Sequence, residues 1–147
     1  MPEISLIEHL RAATNSAMIT SADRHMSLYP PGFRQMVDYQ MMWDLEAARI
    51  GKGGKKLRPL MLLLTCHTLG ADLRKVLPAA AAIEFIHNFS LIHDDIEDQS
   101  INRHGRETVW KKWGVAQAIN TGDAMLALAN LEMHQLVGLY NENIALR

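Results

Sequence analysis

The chain has 147 residues, 48% of them hydrophobic, and its 15 Lys and Arg stand against 16 Asp and Glu for a net charge of -1. That length and apolar content allow one domain with a sizeable core and exclude a disordered chain. The near-neutral balance provides no global basic field, so nucleic acid and anionic membranes are not expected partners.

Apolar positions Ile4, Ile7, Leu10, Ala13 and Ala17 recur at helical spacing and predict a first helix from Ile4 to about Arg24, stopped by Tyr29-Pro30-Pro31-Gly32. A second helix is expected from Phe33, with Met36, Val37, Gln40, Met41 and Ala48 on neighbouring faces, ending at Gly51-Lys52-Gly53-Gly54. A third should begin near Leu57, carry Pro59 in its first turn and finish at Gly70. A fourth should take Pro78 in its first turn, then four alanines, then run from Ile83 to Asp98. Beyond it lie a polar stretch from Gln99 to Gly105, a single turn from Thr108 to Trp113, and a last helix from about Val115 to Tyr140. No segment alternates with period two, so the predicted class is all-α, without repeats or interdomain linkers.

The single Cys66 cannot form an internal disulfide, and Met-Pro-Glu-Ile-Ser-Leu has no basic region leading into an apolar core. A reducing cytoplasm is the expected setting. The apolar run Leu60–Leu64 is far short of the roughly twenty residues a bilayer requires, so no transmembrane segment is expected.

Two stretches carry charge in a chemically suggestive pattern. Asp94-Asp95-Ile96-Glu97-Asp98 crowds acid at a helix C-terminus, where the dipole already places partial negative charge. Asp94 and Asp98 stand at i and i+4 and share a face, which suits a hard divalent cation such as Mg²⁺ completed by water and phosphate oxygens. A solvated acidic helix end is the other reading. Gly53-Gly54-Lys55-Lys56-Leu57-Arg58-Pro59 combines glycines, a following helix N-terminus and three cations, the makings of a phosphate or diphosphate site. A solvated basic turn is the alternative there. Its spacing differs from a nucleotide P-loop, and no strand precedes it. Arg103-His104-Gly105-Arg106 could add cations facing the acidic tip.

These segments, in this order, resemble the trans-isoprenyl diphosphate synthases of the polyprenyl synthetase family. The Gly-Gly-Lys-Lys-Leu-Arg-Pro segment, the helix Ile83–Ile92, the Asp94–Asp98 cluster as a first Asp-Asp-x-x-Asp motif, and the helix Val115–Asp123 each resemble the family pattern. The resemblance implies an isoprenoid-synthase-type helical bundle. It implies that Lys55, Arg58 and His87 hold isopentenyl diphosphate, that Arg103 contacts an allylic diphosphate, and that Asp94 and Asp98 bind Mg²⁺. The seven-residue spacing of His87 and Asp94, which puts them on one helix face, agrees. The implied reaction is a prenyl transfer giving a farnesyl- or geranylgeranyl-type diphosphate, with no protein nucleophile or base. Phe89, five residues before Asp94, matches the position that closes the product pocket in short-chain members.

Two departures qualify this. His104 stands where the family usually has arginine, so isopentenyl diphosphate would be held less firmly there, and Glu107 replaces a common proline. Family members also run to roughly twice this length, with a second Asp-rich motif in the part not matched here. Residues 1–147 are therefore expected to be the N-terminal part of a single prenyltransferase domain, inactive until a C-terminal half supplies the opposing carboxylates, with the family's homodimer implied. A non-catalytic partner of a complete synthase and a class I terpene cyclase are the alternatives; the Lys/Arg segment speaks against the cyclase.

Overall fold

The computed structural model describes residues 5–27, 29–44, 49–50 and 54–140. Helix α1 (Leu6–Met26) opens on a capping box, in which Ser5 accepts the Glu8 N–H and the Glu8 carboxylate accepts the Ser5 N–H. Ile4 lies outside the described residues. Helix α2 (Pro31–Met41) starts two residues before the expected Phe33, because Pro31 occupies the first helical position, where no N–H is needed.

The expected continuation of α2 to Gly51 is incorrect. Met42 adopts a left-handed conformation, φ 57°, and its N–H closes onto the carbonyls of Asp38 and Tyr39. Strand β1 (Trp43–Asp44) then pairs antiparallel with β2 (Arg49–Ile50). Ala48 and Gly51–Gly53, invoked for that helix and its end, fall outside the described residues.

Helix α3 (Leu57–Thr68) has the expected bounds, with Pro59 in its first turn and Gly70 in the left-handed region just after it. Helix α4 (Leu73–Glu97) begins earlier than expected. Asp72 caps it by accepting the Arg74 N–H, so Pro78 lies inside the helix, where it withdraws one hydrogen bond from the carbonyl of Arg74. A short hairpin, β3 (Asn102–Arg103) and β4 (Arg106–Glu107), occupies the expected polar stretch, followed by α5 (Val109–Trp113) and α6 (Val115–Leu139). The strands are two residues each and leave the class all-α.

Helix α4 is the axis of this arrangement. Ala80, Ala81, Ala82 and Phe85 are fully buried, so the helix is covered over more than half of its circumference there, with Ile86 on the open side. One core cluster joins Met18 and Ala22 of α1, Val37 and Met41 of α2, Phe85 and Ile92 of α4, and Met125 and Leu128 of α6. A second joins Leu10, Leu60, Leu63, Val76 and Ala80, seating α3 against the first half of α4. By length and composition alone α4 could cross a membrane, a feature that the run Leu60–Leu64 did not reveal, yet half of its most apolar stretch is buried within the protein. Glu84 and Asp95, both on α4, are buried with cationic partners, as in a core helix.

Helix α6 comes close to α4 at Gly122. A Cβ added there would lie 2.5 Å from His93 Nε2, so any larger residue requires the imidazole to shift.

Candidate active site

The acidic tip forms as the last turn of α4 closes in a Schellman arrangement. Gln99, at φ 52°, sends its N–H to the Ile96 carbonyl, and the Ser100 N–H reaches back to the Asp95 carbonyl. Asp94 and Asp98 are left exposed on one face. Asp95 is different: its side chain is 3% exposed and takes a bidentate guanidinium from Arg103, with Nε and Nη2 each 2.9 Å from Oδ1. The hydrogen bond to Asp95 holds Arg103 even more firmly charged than usual. Arg103, expected on an allylic diphosphate, is thus anchored beside the tip while remaining partly open to solvent.

The β3–β4 hairpin sets the next residue between the tip and a neighbouring cleft. His104 and Gly105 form its two-residue turn with φ 54° and 80°, the conformation of a type I′ turn. Tyr39 of α2 fixes the hairpin in place. Its hydroxyl donates to the Glu107 carbonyl at 2.8 Å, its carbonyl accepts from Arg106, and its ring lies under the Arg106 guanidinium at 4.1 Å and the Lys112 ammonium at 4.3 Å. The Trp113 ring meets it edge-on at 4.8 Å. Arg103 therefore stands at the acidic tip, and His104, which shares a small pocket with Asp95 and Arg103, also lines a cleft toward His87.

That cleft also has Gly54, Lys56, Glu84, His87 and Asn88 in its walls, with Met41, Met42 and Leu91 as its apolar side. Lys55 is exposed, and its carbonyl accepts from Arg11 Nε at 3.1 Å. Lys56 is buried, 3.0 Å from Glu84. Arg58 is exposed and places Nη1 3.2 Å from His87 Nε2. Burial, then the nearby Arg58 charge, push the His87 pKa down, so the imidazole is neutral near pH 7 and its Nε2 accepts from Arg58. Of the six predicted binding and metal residues beyond Arg103, the structure gathers His87, Arg58 and His104 around the cleft, puts Lys55 at its entrance loop, and sets Asp94 and Asp98 at the tip. Seven helical residues separate His87 from Asp94, about 10 Å along the axis.

Phe89, the predicted chain-length residue, points elsewhere. Its ring packs on His93 at a centroid distance of 4.6 Å, beside Gly122 of α6. His93 Nε2 in turn lies 3.7 Å from Asp123 Oδ1.

Sequence reasoning missed Glu84, Asn88 and Tyr39, and counted Lys56 with the cations open to an anion, whereas it is turned inward. Glu84 had a signal: it is a lone acid inside a run of apolar residues, three before His87. Its partner lies 28 positions away and had none.

The carboxylates of Asp94 and Asp98 are an exposed, all-oxygen pair that makes no salt bridge among the described residues, a donor set that suits a hard cation. Among the described residues no three His, Cys, Asp or Glu side chains converge on one point. Any ion there would draw further oxygens from water and from a phosphorylated ligand.

Comparison with known proteins identifies the class to which this all-α arrangement belongs, the isoprenyl diphosphate synthases. The family model for polyprenyl synthetase matches residues 42–146, and the chain belongs to that family. It is similar to (2E,6E)-farnesyl diphosphate synthase of Mycobacterium tuberculosis, 37% identical over 132 residues that cover 88% of this chain and 35% of that protein. It is 50% identical over 80 residues to geranylgeranyl diphosphate synthase of Methanosarcina mazei, covering 54% of this chain and 25% of the relative. Among solved structures, polyprenyl synthetase from Streptomyces coelicolor superposes with a TM-score of 0.75 at 37% identity, covering 88% of this chain and 38% of that one. Geranyltransferase from Legionella pneumophila gives 0.83 at 26% identity, covering 96% and 47%. The chain spans about a third of the length of the first of these curated relatives.

Proposed function

We propose that this chain provides part of the active site of a Mg²⁺-dependent prenyltransferase, one that condenses an allylic diphosphate with isopentenyl diphosphate to give a farnesyl- or geranylgeranyl-type product. The observation that carries this reading is the placement, on one helix, of exposed Asp94 and Asp98 about two turns beyond His87 and its cationic cleft. Two diphosphates could be held side by side there. The names of the farnesyl and geranylgeranyl diphosphate synthases it resembles support the short-chain product.

In this reading Asp94 and Asp98 hold Mg²⁺, which when bound neutralises charge on the departing allylic diphosphate. Arg103, fixed by Asp95, presents the open face of its guanidinium to the same group. Lys55 and Arg58 bind the second diphosphate, Arg58 exchanging the neutral His87 for a phosphate oxygen. His104 adds a donor opposite them. Met41, Met42 and Leu91 shelter the isopentenyl carbons from water as their double bond attacks the allylic cation and a proton then leaves. Phe89 would limit product length from the α6 side of the helix. The catalytic unit would include further helices with a second set of carboxylates, in a homodimer working in a reducing cytoplasm where Cys66 stays a thiol.

The test is condensation of labelled isopentenyl diphosphate with geranyl diphosphate by the complete assembly. Loss of product on Asp94→Ala, with folding intact, is the expected result; unchanged turnover would remove the metal assignment.

A further inference from the structure

Lys56 is the one cation of the basic segment that faces inward. Its backbone enters α3 in the left-handed region, φ 51°, with no side-chain cap. Helices usually begin from an extended residue whose side chain accepts an N–H, and a left-handed residue with a Cβ is disfavoured. What holds Lys56 in place is the ion pair to Glu84, whose two side chains are only 5% and 6% exposed.

Glu84 is itself fixed from α4. Asn88 Nδ2 donates to the Glu84 carbonyl at 2.9 Å and to its Oε1 at 3.3 Å, and Gln40 of α2 donates to Asn88 Oδ1 at 3.4 Å. On the other side of the segment, Arg11 of α1 grips the Lys55 carbonyl. The loop thus meets α4 by two rungs, Lys56 on Glu84 and Arg58 on His87. The rungs differ in strength. A buried ammonium on a carboxylate is a charge pair, whereas Arg58 rests on a neutral imidazole. An arriving diphosphate can win Arg58 and leave Lys56 where it is.

We propose that Lys56 is a positioning residue: its pair with Glu84 sets the left-handed turn that presents Lys55 and Arg58 to the cleft, and its ammonium binds no ligand. This deepens the diphosphate reading given above and rests on it. The two roles predict opposite signs for Glu84→Gln. Freeing a ligand-binding cation would tighten anion binding, while releasing a positioning residue weakens it.

The experiment is calorimetric titration of the 147-residue chain with inorganic diphosphate, paired with amide hydrogen exchange without ligand at Leu60, whose N–H bonds to the Lys56 carbonyl, and at Met61 in the same turn. Glu84→Gln and Lys56→Met should each weaken diphosphate binding about tenfold or more and speed exchange at both amides, as expected when binding groups lose their register. Lys56→Arg should retain most of the affinity. Affinity that is unchanged or tighter in Glu84→Gln, with exchange as in the parent, overturns the proposal. Should the single variants fail to fold by near-ultraviolet circular dichroism, the apolar pair Lys56→Met with Glu84→Leu carries the same test, since buried ion pairs commonly tolerate such replacement. A parent chain that binds no diphosphate would sink the reading of the cleft as an anion site, while the exchange comparison would still decide what Lys56 does.

Discussion

The acidic tip and the basic loop carry opposite charge, yet they are constructed alike. In the tip, Asp95 is spent on Arg103 and its neighbours Asp94 and Asp98 stay free; in the loop, Lys56 is spent on Glu84 and its neighbours Lys55 and Arg58 stay exposed. In the proposed function each cluster uses its inner charge as scaffold and leaves its outer charges for ligand. The difference lies in burial: the loop's pair is sealed, while Arg103 keeps a side-chain exposure of 31% and so can serve both roles. Charge clusters of one sign should therefore not be read as uniform, because the buried member and the exposed members do separate work.

The sharpest way to break that comparison is to remove an outer and an inner acid from the same tip. Asp94→Ala in the complete assembly should lower condensation by about 10²–10³, the scale of a lost electrostatic contact to a transition state. The same change should leave thermal stability equal or slightly raised, since it withdraws an acid from a helix C-terminus. Asp95→Ala should do the reverse in stability, costing about 2–3 kcal/mol in a denaturant melt. That sits below the 3–5 typical of a broken buried pair because Arg103 can still reach water.

The helical part of this design was legible in the sequence where apolar spacing and end signals agreed, as for α3 between its basic N-terminus and Gly70, and for α6. It failed where one residue type carries two meanings. Pro78 suggested a helix start, but the start belongs to Asp72, a turn and a half earlier. Met42 ends α2 in a left-handed conformation without the glycine that would have announced it. Strands of two residues are too short to show alternation, so the hairpin was hidden apart from Gly105. The exposed charges of both clusters were readable from their pattern. Their buried partners were not, because pairing across 28 positions leaves no local trace.

Smaller perturbations sharpen the picture along α4. Gly122→Ala should destabilise the protein by about 1–3 kcal/mol, as overpacking does, by forcing the His93 ring from its seat. A thermal melt near that of the parent would show that the imidazole can swing aside at no cost. His87 should leave the smallest mark. Its pKa is held below the ordinary 6.5, so the unfolded chain binds its proton first, and the contribution of His87 to stability is present above that pH and fades as pH falls through the folded value. Comparing denaturant midpoints between pH 7.5 and 5 should show His87→Gln losing less stability on acidification than the parent. A bound diphosphate should oppose the shift by favouring the imidazolium.

The clamp on Tyr39 has an optical consequence. Trp113 touches that ring, and the Trp110 indole N–H donates to the Ser100 carbonyl at the base of the hairpin. Both indoles report on the segment that carries Arg103 and His104, while the remaining tryptophan, Trp43, is buried at the end of α2. Any ligand that draws the hairpin toward the acidic tip should alter the wavelength and quenching of their emission, so the protein carries an intrinsic fluorophore at the place where its two charge clusters meet.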